Sequence, residues 1–104
     1  MPRYVLLALN GPTAGEGDAE TYARWYDEVH IPAIEKIDGI VSAKRFRVLR
    51  GKVPGELWPY LTLYEIETDD MSRVSAELGK VMQLSTPALD SAHSTHLFAQ
   101  LLEE

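Results

Sequence analysis

The pattern of apolar and polar positions divides the chain into alternating strand-like and helix-like segments. Tyr4–Leu9 is an unbroken apolar run bounded by turn residues, which predicts a buried strand. Ile40–Leu49 alternates and is rich in Val, Phe and basic residues, which predicts a strand with one more polar face. Tyr60–Ile66 and Ser94–Leu102 predict two further strands.

Two segments carry apolar residues at helical spacing. The first follows Asp18, a candidate N-cap, and Pro32 should make this helix kink or restart before Gly39 ends it. The second begins after Asp69 or Asp70, either of which can cap it. Its apolar stripe comprises Met71, Val74, Leu78, Val81 and Met82.

The predicted order is strand, helix, strand, strand, helix, strand. This βαββαβ order is that of ferredoxin-like α+β domains, in which a four-stranded antiparallel sheet carries both helices on one face. The length of 104 residues is that of one domain, so we expect residues 1–104 to form a single domain.

The first predicted strand is apolar on both faces. Tyr4, Leu6 and Ala8 point to one side of the sheet, whereas Val5 and its alternate neighbours point to the other. The helices can cover only one of these faces, and the chain has no further element for the second. We therefore expect a homodimer in which a second copy covers the open face.

Composition narrows the classes of function. The net charge of −6 disfavours binding to nucleic acids or anionic membranes. The chain has no cysteine, and its apolar runs are far shorter than the roughly 20 residues that span a bilayer. We expect a cytoplasmic protein with neither nucleic acid nor membrane as a partner.

One motif resembles a known family. The segment Tyr22–Pro32 contains the pattern W-Y-D-E-x-H-x-P, followed by Gly39–Phe46 and later by the strand Tyr60–Glu65. Together these segments resemble the EthD-like family of the dimeric α+β barrel superfamily. The resemblance implies a homodimer whose two sheets form a barrel, with a ligand cavity between each sheet and its own helices. The superfamily includes cofactor-independent monooxygenases, polyketide cyclases and muconolactone isomerases.

His30 is the candidate catalytic residue. It lies four residues after Tyr26 and eight after Tyr22, on one helical stripe that we expect to face the sheet. Pro32 disturbs the helix nearby, which can leave a backbone carbonyl beside the imidazole to anchor one nitrogen. The other nitrogen would then act as a general base. The alternative is a structural histidine that seals the end of the helix.

The pH dependence of such a base depends on its surroundings. The pKa of an ordinary imidazole is near 6.5, so activity should fall below about pH 6. Burial would lower the pKa of His30, whereas Asp27 or Glu28 nearby would raise it. The sequence does not decide between the two.

Tyrosines supply the candidate ligand-binding surface. Tyr22 and Tyr26 accompany His30, while Tyr60 and Tyr64 share one face of their strand. Aromatic walls with a few hydroxyl groups suit a hydrophobic aromatic or cyclic small molecule. The alternative is ordinary filling of the core and dimer interface. Trp25 lies off the stripe, so we expect it at the surface or an interface.

Half of the ten basic residues fall between Lys44 and Lys52. Arg45 and Arg47 share one strand face, and Lys44 points to the other. Arg45 is a candidate for binding a carboxylate or enolate oxygen of the substrate. A solvated strand edge is the alternative, and the spacing does not show which face carries Arg45 and Arg47.

The other two histidines, His93 and His96, would lie on opposite faces of a strand, although a loop would let them converge. No H-E-x-x-H motif accompanies them, and the chain has no phosphate loop or dinucleotide-binding fingerprint. We expect no metal site and no bound cofactor.

Together these features favour a small cofactor-independent enzyme, or enzyme accessory, that acts on a hydrophobic aromatic or cyclic molecule. His30 would abstract a proton, leading to oxygenation, isomerisation, cyclisation or lyase chemistry. The first alternative is a dimeric domain that binds a small apolar metabolite without catalysis. The second is a structural dimer without a ligand.

Overall fold

The computed structural model describes residues 1–102, so the last two residues of the predicted domain lie outside the described part. Its strands are β1 (Arg3–Asn10), β2 (Ile40–Arg47), β3 (Tyr60–Glu67) and β4 (Thr95–Gln100). The helical segments are α1 (Asp18–Trp25), a π-helical turn (Tyr26–His30), α2 (Ile31–Glu35), α3 (Met71–Met82) and a 3₁₀ turn (Ser91–His93).

The sheet has the order β2-β3-β1-β4, and every neighbouring pair is antiparallel. This arrangement confirms the ferredoxin-like α+β fold. The central strand β1 pairs Leu6 with Tyr64 on one side and with Phe98 on the other. Two predicted strands are too long, because β2 ends at Arg47 and β4 spans only Thr95–Gln100.

The main core lies between one sheet face and the helices. Alternate residues of β1 and β3 project into it, as period-two geometry requires, and meet the apolar stripe of α3. Its fully buried members are Leu6, Ile34, Tyr64, Ile66, Val74 and Leu78.

The helix boundaries follow from specific residues. Asp70 caps α3 by accepting a hydrogen bond from the backbone N–H of Arg73, as predicted. The prediction that Asp18 caps the first helix is wrong, because Gly17 occupies that position with a φ of 78°. The Asp18 carboxylate instead accepts hydrogen bonds from the backbone of Gly15 and the hydroxyl of Thr13.

The predicted interruption near Pro32 is confirmed and takes the form of a π-helical turn. The backbone N–H of Ile31 donates to the carbonyl of Tyr26, five residues earlier. Pro32 then lies in the first turn of α2, which follows the π-helical turn with no break in right-handed helical backbone. The π-helical turn carries His30 as its last residue.

Candidate active site

His30 is the last residue of the π-helical turn, and its side chain lies between the helices and the sheet. Only 6% of its surface is exposed. The Trp25 indole stacks on the imidazole at 4.5 Å between ring centroids, and Tyr26 meets it edge-on at 5.1 Å. Tyr64 of β3 closes the side towards the sheet at 6.5 Å. The ring is thus surrounded by aromatic side chains.

The π-helical turn explains why Trp25 joins this group. A π turn brings residues five apart above one another, so Trp25 stacks on His30. The expectation of a surface or interface position for Trp25 assumed uninterrupted α-helical spacing; the residue is half-buried and stacks on His30. π-helical turns of this kind are frequent at functional sites.

The expected anchor for the imidazole is not found. The Nδ1 atom of His30 is buried and has no hydrogen-bond partner among residues 1–102. A structural histidine that seals a helix end would use such an atom in a hydrogen bond. Nδ1 itself has almost no accessible surface, so any contact between His30 and a molecule in a neighbouring cavity would be made by other atoms of the ring.

The surroundings of His30 keep its ring uncharged. Burial, and to a lesser degree the positive charge of Arg45, lowers the pKa of His30 to about 4. The sequence left open whether the pKa of His30 is raised or lowered, and its environment in the structure lowers it. Asp27 does not reverse it, since its carboxylate is 70% exposed and lies 3.9 Å from the Arg45 guanidinium.

A cavity of about 270 Å³ opens beside His30, between the π-helical turn and the β4 side of the sheet. Its helical wall is formed by Trp25, Tyr26 and His30, and Tyr64 lies on the sheet side. The remaining lining residues are Ala8, Asn10, Met82, Ser85, Leu89, Ser91, Ser94, Thr95 and His96. The cavity therefore combines aromatic walls with a few polar groups, as small-molecule sites commonly do.

The segment before β4 forms one side of this cavity and is held in place by the loop after β1. Thr13 N–H donates to the Ala88 carbonyl at 2.8 Å, and Asp90 N–H donates to the Gly11 carbonyl at 3.0 Å. These backbone bonds fix Leu89 and Ser91 over the cavity.

Three polar side chains form a buried chain of hydrogen bonds at the end of β1. The Tyr22 hydroxyl donates to Oδ1 of Asn10 at 2.6 Å. Nδ2 of Asn10 donates in turn to the Tyr26 hydroxyl oxygen at 2.7 Å. All three residues are buried, so water does not compete strongly for these bonds.

Arg45 lies on the helix-facing side of β2, next to the rings of the two tyrosines in this series of hydrogen bonds. Its guanidinium carbon is 4.3 Å from the ring centroid of Tyr26 and 5.3 Å from those of Tyr22 and Tyr60. Such cation–π contacts stabilise the charge. Arg47 shares this face, where it pairs with Tyr60 in the sheet, but its side chain is exposed.

The structure thus divides the predicted site residues into two groups. His30, Tyr26 and Tyr64 line the cavity. Tyr22, Tyr60 and Arg45 form an adjoining cluster that does not line it. Tyr26 joins the two groups, because its ring lies under Arg45 while the residue also borders the cavity.

The hydroxyls of Tyr22 and Tyr64 stay protonated. Burial, reinforced by the neighbouring Tyr26, raises the pKa of Tyr22 and of Tyr64 well above the usual range. These two phenols therefore do not supply a base near neutral pH.

The other two histidines occupy different environments. Nδ1 of His93 lies 2.8 Å from the Asp90 carboxylate, in the 3₁₀ turn outside the cavity. His96 lies on the helix-facing side of β4 and lines the cavity. Within residues 1–102, no three His, Asp or Glu side chains come together as a metal site would require.

Asn10, Trp25 and His96 are among the cavity residues that sequence reasoning missed. Asn10 stands in a turn-like stretch, and only its register opposite Tyr60 places its side chain under the helices. Trp25 required the π-helical turn, and His96 required the register of β4. The W-Y-D-E-x-H-x-P pattern was the one signal that pointed to Trp25, since it contains that residue.

Solved structures with a similar fold include the following three. An EthD family protein from Bacillus halodurans is 16% identical, covers 98% of this chain and 100% of its own, and has a TM-score of 0.60. A dimeric ferredoxin-like protein of unknown function from Jannaschia sp. is 12% identical over 95% and 99% of the two chains, with a TM-score of 0.68. A proposed monooxygenase from Shewanella loihica is 10% identical over 100% and 99%, with a TM-score of 0.59.

These likenesses confirm the predicted resemblance at the level of the fold. A scan against protein-family models finds no match, and a search of curated proteins finds none either. No helix within residues 1–102 is long and apolar enough to cross a membrane.

Proposed function

We propose that this protein is a homodimeric enzyme that uses His30 as a general base on a hydrophobic aromatic or cyclic small molecule, without a bound cofactor. The observation that supports this most is the imidazole itself. It is 6% exposed and lies on the wall of a 270 Å³ cavity, with Nδ1 turned away from accessible surface, so the opposite edge of the ring would meet the substrate. The aromatic rings around it suit a flat apolar ligand.

The simplest reaction is removal of an acidic proton beside a carbonyl group. A C–H bond of the substrate breaks, an N–H bond forms on the imidazole, and the electron pair remains on the substrate as an enolate. From this anion, protonation at another carbon gives isomerisation, and attack on an internal carbonyl gives cyclisation. Reaction with dioxygen, as an external co-reactant, gives oxygenation.

The electrostatics of the site restrict where this proton transfer can occur. The imidazolium formed by proton removal is disfavoured by burial and by Arg45, as the lowered pKa of about 4 shows. An enolate in contact with the ring offsets this cost, because opposite charges attract strongly where water is excluded. The base is therefore effective only when the anion forms directly beside it.

The open sheet face supports the homodimer. Val41, Phe46 and Leu97 are 57%, 45% and 50% exposed on that face. It also carries a groove of about 320 Å³ whose lining includes Val5 and Leu63. Similar folds from Jannaschia sp. and Thermobifida fusca are dimeric. A second copy would cover this apolar surface.

A non-catalytic binding domain is the second candidate, and the low pKa of His30 favours it. A histidine that holds its proton so weakly is a poor base towards weak acids. A neutral imidazole on the cavity wall would accept a hydrogen bond and fix the orientation of a bound hydroxyl group.

A ligand screen followed by a histidine variant tests the proposal. Aromatic ketones, phenols and lactones are screened for thermal stabilisation, and turnover of each stabilising compound is then measured. His30→Gln should reduce the rate by roughly 10²- to 10⁴-fold, the usual contribution of a general base. His93→Gln is the matched control, since His93 lies outside the cavity, and should retain the rate.

The outcomes separate the two candidates. Stabilisation without turnover favours the binding domain. If turnover is found and His30→Gln retains most of it, His30 is not the base. Absence of stabilisation by every compound contradicts both candidates.

A further inference from the structure

The hydrogen-bond chain Tyr22–Asn10–Tyr26 has a direction that the proposed function does not use. The Tyr22 hydroxyl donates to Asn10, and Asn10 donates to the oxygen of Tyr26. A phenol hydroxyl has a single hydrogen to donate. The hydrogen of Tyr26 is therefore not consumed within this chain.

The orientation of the Asn10 amide decides which tyrosine keeps a free hydrogen. If the amide were turned over, Asn10 would donate to Tyr22, and the free hydrogen would belong to Tyr22. Tyr22 is 1% exposed and does not line the cavity, so that hydrogen would be buried away from any ligand. An unsatisfied buried donor is costly. Tyr26 is equally buried at 1% exposure, but it lines the cavity, so with the observed orientation a bound ligand can satisfy the remaining hydrogen.

We propose that Asn10 and Tyr22 are positioning residues that direct the Tyr26 hydroxyl hydrogen into the cavity beside His30, so that the site selects ligands with a carbonyl oxygen next to an acidic C–H. The proposal rests on the proposed function and specifies its substrate class. The oxygen accepts the hydrogen bond of Tyr26 while the adjacent C–H faces the imidazole.

The geometry allows one ligand to meet both groups. The Tyr26 and His30 rings lie 5.1 Å apart edge to face, and both residues line the cavity. When the C–H bond breaks, the proton moves to His30 and negative charge moves to the oxygen. A fixed donor at that oxygen then acts as an oxyanion-stabilising group. This contribution matters here because burial and Arg45 disfavour the imidazolium that forms when His30 accepts the proton.

Arg45 contributes to this arrangement through its contact with the Tyr26 ring. Its guanidinium lies over the face of the Tyr26 ring, 4.3 Å from the centroid, and does not line the cavity. This cation–π contact holds the Tyr26 ring in place. Arg45 is thus a positioning residue in this account and touches no ligand.

Two probes of nearly equal shape test the proposal. The ketone 2-tetralone carries a carbonyl oxygen next to acidic C–H bonds, whereas tetralin is the same bicycle without the oxygen. The affinities of both are measured by ligand-observed NMR at millimolar concentrations. The carbonyl stretch of bound 2-tetralone is measured by infrared spectroscopy.

The wild-type protein should bind 2-tetralone about two- to tenfold more tightly than tetralin, as one net hydrogen bond gives. The carbonyl stretch should fall to a lower wavenumber on binding. Tyr26→Phe should abolish both the preference and the shift. Tyr22→Phe should reduce both, because the Asn10 amide loses the bond that orients it.

Tyr4→Phe is the matched control. Tyr4 lies on β1 at the far end of the sheet, outside the cavity, and its variant should behave as the wild type. A merely structural effect of Tyr22→Phe would weaken both probes equally and leave the infrared shift unchanged. That result would overturn the positioning role, as would an unchanged preference in Tyr26→Phe.

The same experiment distinguishes this proposal from the proposed catalytic function. His30→Gln should keep the infrared shift of bound 2-tetralone while any turnover is lost. Preference and shift without turnover would leave the donor site standing and overturn the catalytic base. Failure of both probes to bind the wild type would overturn the donor site and the aromatic-ligand cavity together.

Discussion

At the scale of single residues, the site depends on an imidazole that the protein keeps neutral. Burial is the larger cause, and the nearby Arg45 adds to it. An imidazole of ordinary pKa would lose activity below about pH 6, and the lowered pKa of His30 moves this loss to lower pH. The neutral form of His30 persists to much lower pH.

The activity profile should show this shift. If unprotonated His30 is the base, kcat/KM should stay near its maximum at pH 5.5 and fall with an apparent pKa of about 4 in the free protein. The measurement is kcat/KM against pH, limited to conditions where the fold persists. A half-maximal rate at pH 6.5 would contradict the environment described for His30.

Stability should depend on the same group. His30 has a pKa of about 4 when folded and about 6.5 when unfolded, so the unfolded chain binds the proton more tightly. The stabilising contribution of the neutral ring is complete above pH 6.5 and is lost as the pH falls towards 4. The shift corresponds to roughly 3 kcal/mol.

Urea unfolding of the wild type and of His30→Gln at pH 7 and pH 4.5 tests this linkage. The wild type should lose more free energy of unfolding over this interval than the variant, by a large part of that amount. Carboxylates that titrate in the same interval are common to both proteins and cancel in the comparison. Equal losses would show that the imidazole is already accessible to protons in the folded state.

The sequence predicted the burial of Tyr22, Tyr26 and His30, because their spacing places them on one helical face. It could not predict which of them reaches the cavity. That depends on the π-helical turn and on the register of β1, which positions Asn10 between the two tyrosines. Neither feature has a local signal in the residues themselves.

At the scale of elements, the strand order and both helices followed from hydrophobic periodicity, whereas the boundaries depended on individual hydrogen bonds. Asp18 and Asp70 are both acidic residues before an apolar stripe, yet only Asp70 caps its helix. Asp18 is held by Gly15 and Thr13 in the preceding loop instead. A competing partner of this kind cannot be read from spacing.

The cap of α3 gives a direct prediction. Asp70→Ala removes the acceptor for the Arg73 N–H and should lower the free energy of unfolding by about 1 kcal/mol. Asp69→Ala is the matched control, since Asp69 is exposed and adjacent but is not the residue that caps the helix. Chemical denaturation of the three proteins compares them, and equal losses in both variants would argue against the cap.

At the scale of the whole molecule, the chain exposes more surface than is usual for a monomeric protein of its mass. Its accessible surface is 6939 Å². A monomeric protein of 11.7 kDa exposes about 5900 Å². The radius of gyration is 14.1 Å, against about 13 Å for a compact domain of this length. The excess fits a sheet with one face left for a partner.

The dimer prediction is tested by a charge on that face. Leu7 lies opposite Leu63 and Leu97 in the centre of the open face. Leu7→Asp should break the dimer or unfold the chain, because a buried unpaired charge costs several kcal/mol. Leu49→Asp, in an exposed loop, should leave the dimer intact. Light scattering that gives one chain's mass for the wild type at micromolar concentration would refute the dimer.

The central claim is that His30 removes a proton from a bound ketone, and deuterium exchange measures this step directly. The acidic C–H hydrogens of 2-tetralone are followed by NMR in D₂O at neutral pH. The wild-type protein and His93→Gln should accelerate their exchange alike, and His30→Gln should be slower by roughly 10²- to 10⁴-fold. Equal exchange rates in the wild type and His30→Gln would contradict the claim.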